Sequence, residues 1–323
     1  MSPAVKSLLL RLLMLAFPAW PLALTAVGDD SASKDFVVKV WGTDDGLTEG
    51  SVTDVAQTPE GYLWVGTLFG SVLRFDGTRF VSYNSAKTPE FSQKWGVPRF
   101  TVDRSGTLWI SMHDGGVTTW DQHGFRSIFT STNQPDRMIW SASNQIVFVY
   151  GDGKLESGQK HGEQWDWQTF APPAALPQGQ HCADADGNIW YLRSDHEIGI
   201  WNIANNQPLP PVPGPEGQRI RVLTADSRGQ IWIGTDKMLA RWETNHFEPM
   251  TPTNGETNLS VRRIIPSGTT NLWVEANGKL CRYASHQWFA QCDAWNTESL
   301  SKRGFIRFIH GDREGGLWAG AGD

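Results

Sequence analysis

The sequence predicts an all-β protein, a seven-bladed β-propeller of four-stranded blades with the last blade incomplete. Three observations predict it. First, one short motif, Gly61-Tyr62-Leu63-Trp64-Val65-Gly66-Thr67, returns in variants along the whole chain. Copies begin at Gly106, Gly187, Gly229, Thr270 and Gly315, and a degenerate copy around Ile146-Val147-Phe148 fills the widest gap. Second, the anchors Trp64, Trp109, Val147, Trp190, Trp232, Trp273 and Trp318 are separated by 45, 38, 43, 42, 41 and 45 residues. One propeller blade takes about 40–45 residues. Third, the 323 residues include 17 Trp and 33 Gly, which suits one large anchor per blade and tight turns between strands.

Residues 1–28 read as a secretory signal. Lys6 and Arg11 give a basic start, Leu12 to Val27 is apolar, and Ala26-Val27-Gly28 offers small residues to a signal peptidase. Pro18 and Pro21 argue against a long spanning helix there. No later stretch approaches the ~20 apolar residues of a transmembrane helix. The expected mature part, 29–323, is therefore a soluble periplasmic propeller. A net charge of −6 with no long run of like charge disfavours a nucleic-acid or anionic-membrane surface.

The first unit sets the grammar. Phe36 to Trp41 alternates as a strand, Gly42 to Gly46 is a turn, and Ser51 to Gln57 is the inner strand. Thr58-Pro59-Glu60-Gly61 is a turn. Tyr62 to Thr67 and Ser71 to Phe75 are the second and third strands, Asp76-Gly77 a hairpin turn, and Arg79 to Tyr83 the outer strand. Later units repeat this order. An Asp stands three residues before the repeat Gly at Asp103, Asp184, Asp226 and Asp312, where its side chain is expected to cap the turn. Aromatics at fixed phase, Phe75, Trp120, Trp201, Trp242 and Tyr283, then Phe80, Phe125, Phe247 and Trp288, are expected to stack between blades. Pro208 to Pro215 reads as a rigid connection between the fourth and fifth units. The seventh unit stops after its second strand. Phe36 to Trp41 is a candidate outer strand for that blade, sealing the ring and leaving its third strand missing. An incomplete chain is the favoured explanation.

Cys182, Cys281 and Cys292 are the three cysteines. A hairpin turning near Ser285-His286 makes Cys292 a diagonal neighbour of Cys281, which strains disulfide geometry. Three free thiols are expected.

Val40-Trp41-Gly42-Thr43-Asp44-Asp45-Gly46-Leu47, then Val52-Thr53-Asp54-Val55, the Gly61 to Thr67 motif, Arg74-Phe75-Asp76-Gly77 and Phe80 closely resemble the two-component regulator propeller repeat. The resemblance covers about residues 36–323 and is most specific in the first and fifth units. It implies the periplasmic ligand-sensing region of a bacterial membrane-bound sensor, with a glycan fragment as a common ligand in that family. A β-sandwich, a membrane helix and a cytoplasmic output (histidine kinase, hybrid kinase or diguanylate cyclase) usually follow. None of these is in this sequence, so the resemblance implies a partial sensor, self-associating as a dimer when complete. Its tie to the inner membrane would lie only in segments outside this chain. Fold alone does not give function.

No catalytic constellation emerges. There is no His-Glu-x-x-His, Cys-x-x-Cys, Gly-x-Ser-x-Gly or phosphate loop. Neither a metal nor a cofactor is expected. The strongest enzymatic rival, a sialidase-like or lyase-like propeller suggested by Asp226 to Trp232, is disfavoured because the Asp stands three residues before the Gly rather than two, and no paired catalytic groups can be assigned. The inner strands instead carry basic residues: Arg99, Arg137, Arg221, Arg262, Arg263 and Arg307. These suggest a ring of guanidinium groups around the central channel, suited to an anionic ligand such as a uronate-bearing sugar. The alternative is local pairing with strand or turn acids. Loops joining second to third strands add Phe69, His113, Arg193 and Lys237, and a fourth-to-first loop adds Trp95. Phe69 and Trp95 are the sugar-stacking candidates; Trp95 serves equally well as a cover for the blade edge. Two further readings stay open, a free-standing periplasmic binding propeller and a propeller carbohydrate-active enzyme.

Overall fold

A computed structural model describes residues 8–13, 36–84, 86–91, 96–103, 105–113, 115–130, 135, 137–141, 145–150, 154–162, 164–170, 180–252, 258–268, 271–284, 287–289 and 305–322. The protein is all β, and its one helical turn among these residues is the short 3-10 segment Thr43–Asp45. Six consecutive four-stranded antiparallel blades follow one another. Blade 1 is Val52–Gln57, Leu63–Thr67, Val72–Phe75 and Phe80–Tyr83. The inner strands of blades 2 to 6 are Arg99–Val102, Arg137–Ser141, His181–Ala183, Ile220–Ala225 and Val261–Ser267. Each inner strand touches the next, so the ring closes on itself.

The seven blades expected from the anchors, the last of them incomplete, are corrected to six. The seventh position is filled by a composite sheet in the order Phe36–Trp41, Leu8–Leu13, Leu317–Gly322, Phe305–Gly311. Its inner hairpin is antiparallel, but Leu8–Leu13 runs parallel to both neighbours. Phe36–Trp41 does take the outer position. The third position is supplied by a segment that the sequence assigns to the leader. The motif anchor could not reveal this, because it marks only the second strand of a unit.

The seven anchors are all buried. Along the ring, the anchor of one blade meets the third-strand aromatic of the next: Trp64 with Trp120, Trp190 with Trp242, and Trp232 with Tyr283, at centroid distances of 4.8, 5.4 and 5.7 Å. Those third-strand rings pair across their own hairpins, as Phe75 does with Phe80 and Trp120 with Phe125. The fixed phase of aromatics in the sequence is thus the phase of the interblade core.

The Asp–Gly turn has a second function beyond capping. Asp103 accepts Thr107 N–H at 2.9 Å and also the indole N–H of Trp109 at 2.9 Å. Asp184 and Asp226 hold Trp190 and Trp232 in the same way. The turn glycine lies in the left-handed region, with φ +81° at Gly229, where a Cβ would stand 2.4 Å from the Ala185 nitrogen of the preceding blade. Blade 1 has the fully buried Thr58 where blades 2, 4 and 5 have Asp, and the indole nitrogen of Trp64 has no partner among the described residues. Thr58→Asp should therefore stabilise the protein by about 1–2 kcal/mol. A urea midpoint equal to or below that of the wild type would show that blade 1 does not admit the carboxylate.

Two local expectations are corrected. Gln207–Pro213 is the outer strand of blade 4, not an interblade connection. Proline is tolerated on an edge strand because its missing N–H costs no ladder bond. Cys281 is disulfide-bonded, and Cys182 is a buried cysteine outside any disulfide, so three thiols are not found. The strand paired with Lys279–Ala284 ends at Phe289, short of the register on which the geometric objection rested. The remaining cysteine, Cys292, lies outside the described residues.

Candidate functional site

The channel has two chemically different ends. At one end the inner strands begin, joined by the loops between second and third strands. Four inner strands carry a β-bulge at this point, between Val52 and Asp54, Ile220 and Val222, Val261 and Arg263, and Ile306 and Phe308. The extra residues are Thr53, Arg221, Arg262 and Arg307. A bulge re-aims its extra side chain away from the ladder, and Arg221 and Arg262 are exposed.

The residue after the bulge position clamps neighbouring blades in two places. The Asp54 carboxylate accepts Phe100 N–H at 2.7 Å. The Gln180 amide accepts Leu223 N–H and donates to the Arg221 carbonyl at 3.0 Å. These polar residues appear in the sequence only as interruptions of the basic pattern. Their signal was a hydrogen-bonding, non-basic side chain at a strand position that carries Arg in blades 2, 3 and 6.

The guanidinium groups divide into two sets. Arg193 pairs with Glu197 at 3.1 Å and Arg263 with the buried Glu275 at 3.4 Å. Lys237 donates to the Gly217 carbonyl at 3.1 Å. Arg99, Arg221 and Arg262 are exposed and make no ion pair among the described residues. Of Arg137 and Arg307 only the strand backbone is described. Among the described residues the mouth thus carries three open guanidinium groups, in blades 2, 5 and 6. Asp236 sits among them. Its carboxyl is held below the usual carboxylate range, first by the Arg219 N–H and further by Lys237 and Arg221.

The loops on this end are built to present side chains. Glu49 accepts from Thr67 Oγ1, Phe69 N–H and Ser71 Oγ at 2.9–3.0 Å. That fixes the turn after the second strand of blade 1 and leaves Phe69 60% exposed. Gly70 and His113 both crowd Gly96, whose own Cβ would stand 2.2 Å from that of His113. The loops carrying Phe69 and His113 therefore meet at Gly96 across the blade 1–2 junction; Trp95 lies outside the described residues. On the far side, Arg219–Asp195 (3.5 Å) and the His196 Nδ1 contact with the Gln218 carbonyl (2.8 Å) tie blade 4 to blade 5.

The other end of the channel opens into a cavity of about 720 Å³ where the inner strands run out, lined by Thr101, Ile139, His181, Thr224 and His310 and by the turn aspartates. None of the residues singled out from the sequence as ligand-binding lies there. His310 keeps partial surface exposure, yet the enclosing ring lowers its pKa to about 4 by desolvation. It adds no charge near neutral pH. Among the described residues no cluster of three His, Cys, Asp or Glu side chains is placed to hold a metal ion, and no helix is long and apolar enough to cross a membrane.

This is a propeller with an open, basic loop-bearing mouth. Residues 46–69 and 214–237, in blades 1 and 5, match the family described as "Two component regulator propeller". The extracellular domain of a candidate hybrid two component system from B. thetaiotaomicron is 19% identical, with a TM-score of 0.58 over 88% of this chain and 40% of that one. The corresponding domain of a candidate one component system from the same organism is 17% identical (TM-score 0.53, 85% and 38% covered). This chain therefore spans about two fifths of the length of those domains. A streptogramin B lyase is 13% identical, with a TM-score of 0.58 over 85% of this chain and 92% of that one. At these identities the likeness concerns the fold. No curated protein matches the chain by sequence.

Proposed function

We propose that the chain is the extracytoplasmic ligand-sensing propeller of a two-component sensor, non-catalytic in itself. The reading is carried by regulator-type repeats in a ring whose loop-bearing mouth holds three unpaired guanidinium groups. The ligand would be an oligosaccharide bearing a carboxylate, held by Arg99, Arg221 and Arg262 and stacked near Phe69. A planar fork suits carboxylate, and the sugar ring's apolar face suits an exposed aromatic. Arg137, His113, Arg307 and Trp95 are placed by sequence on the same mouth. Binding would shift dimer geometry in the complete sensor and bias a cytoplasmic output.

Titration of the purified chain with a glucuronate-containing disaccharide by calorimetry tests this. Wild type should bind, with affinity falling as salt rises. Arg99→Ala with Arg221→Ala should lose at least tenfold, about 1.4 kcal/mol. Equal affinity in the double variant would remove the basic mouth from the mechanism, and turnover of the sugar would replace sensing by catalysis.

A further inference from the structure

The junction between blades 2 and 3 is built unlike its neighbours. In blades 1, 2, 4, 5 and 6 the third-strand residue opposite the pre-anchor position is Phe75, Trp120, Trp201, Trp242 or Tyr283. In blade 3 the residue opposite Ile146 is Gly158. A missing ring at a fixed core position leaves space. Trp167, on the outer strand Gln164–Phe170, moves over that glycine; a Cβ at 158 would stand 2.5 Å from its ring. What remains is a cleft of about 750 Å³. The corresponding groove between blades 4 and 5, where Trp242 is present, holds about 530 Å³.

The cleft has a platform and a polar rim. Trp165 and Trp167 stack nearly parallel, 25° apart with centroids at 5.7 Å, and both are half-buried. Trp165 stands edge-on to the buried Trp109 at 4.9 Å, so the platform is anchored in the core. Asp121, Arg126 and Lys160 stand around it, and the Lys160 ammonium lies 6.0 Å from the Trp165 ring centre. With Asp103 included, the ionisable lining among the described residues has two carboxylates and two cations. The lining draws on blade 2's first turn and outer hairpin and on blade 3's outer hairpin. It therefore opens away from the loops that carry Phe69 and Arg221.

We propose that this cleft is a second binding site, for a neutral saccharide. A pyranose ring has an apolar C–H face and a belt of hydroxyls. Trp167 is stacked on both Trp165 and Phe148, so it is Trp165 that offers the first a flat partner, and adjacent carboxylate and ammonium groups offer the second acceptors and donors. The volume falls in the ~300–1,000 Å³ range of small-ligand sites, and the described lining charges, two of each sign, favour neither an anion nor a cation. This site is independent of the basic mouth.

The test is saturation-transfer NMR and calorimetry on the full chain with cellobiose, maltose, lactose and N,N′-diacetylchitobiose. At least one should bind. Trp165→Ala should weaken it tenfold or more and Lys160→Ala about threefold, while Arg221→Ala at the opposite end leaves it unchanged. Lys160→Ala, at a half-exposed rim position, carries the test if Trp165→Ala does not fold. The proposal is overturned if none of the four sugars binds wild type, or if a bound sugar is indifferent to both cleft variants.

Discussion

Trp41→Ala should open the ring and cost about 3–5 kcal/mol, the range for truncating a buried Trp. Trp41 ends the strand Phe36–Trp41 and is buried at the seam between the composite sheet and blade 1. Its ring stacks on Trp318 at 5.4 Å and meets Phe75 edge-on at 5.3 Å. The same cluster holds Leu47, Val52, Val55, Leu63 and Leu73. It is therefore the residue through which an amino-terminal strand is fastened to both sides of the closure. A ring protein concentrates its vulnerability there, because every other junction joins blades consecutive in the chain. Urea unfolding measures the loss, and amide exchange in 317–322 should accelerate with it. Trp41→Phe should recover much of the stability. A cost below about 1 kcal/mol for Trp41→Ala would mean that this strand does not close the ring.

Much of the architecture was legible because a propeller repeats its information. The Gly–aromatic motif fixed the second strand of each unit, and spacing from it placed the inner strands to within a residue or two. The closure was not legible for the opposite reason. It occurs once, it is parallel where the blades are antiparallel, and it draws on Leu8–Leu13, whose composition also fits an export signal. The Pro-rich outer strand of blade 4 was misread because proline's effect depends on whether its edge is paired, which composition does not show. At the mouth, sequence located the basic residues but not their partners. Arg263 and Arg221 occupy neighbouring phases of one pattern, and only the register opposite Glu275 ties the first of them down. Gly158 was visible as a gap in the aromatic series, but its meaning required knowing which blade the missing ring would have faced.

Asp184→Ala should cost about 3 kcal/mol, although the side chain it removes is only half-buried. Its carboxylate accepts four hydrogen bonds: Asp186 N–H at 3.0 Å, Asn188 N–H at 2.8 Å, Asn188 Nδ2 at 2.9 Å and Trp190 Nε1 at 2.7 Å. Hydrogen bonds to an ionised acceptor contribute about 1.5–3 kcal/mol each when isolated, but bonds sharing one carboxylate are not additive. The larger part of the cost is what is left behind. Trp190 is buried and packs against Trp242 of the next blade, so its indole N–H cannot recruit water without disturbing the interblade core. Asn in place of Asp retains one acceptor oxygen but must turn its NH2 toward the turn or toward Trp190. Asp184→Asn should therefore lose roughly half as much. If Ala and Asn variants unfold at the same urea concentration, the turn N–H groups matter and the Trp190 bond does not. If both unfold with the wild type, the carboxylate contributes nothing to the fold. The repeat would then keep Asp at this position for a reason other than stability, and the explanation of the motif as a strand turn tied to its own anchor would fail across blades 2, 4 and 5 together.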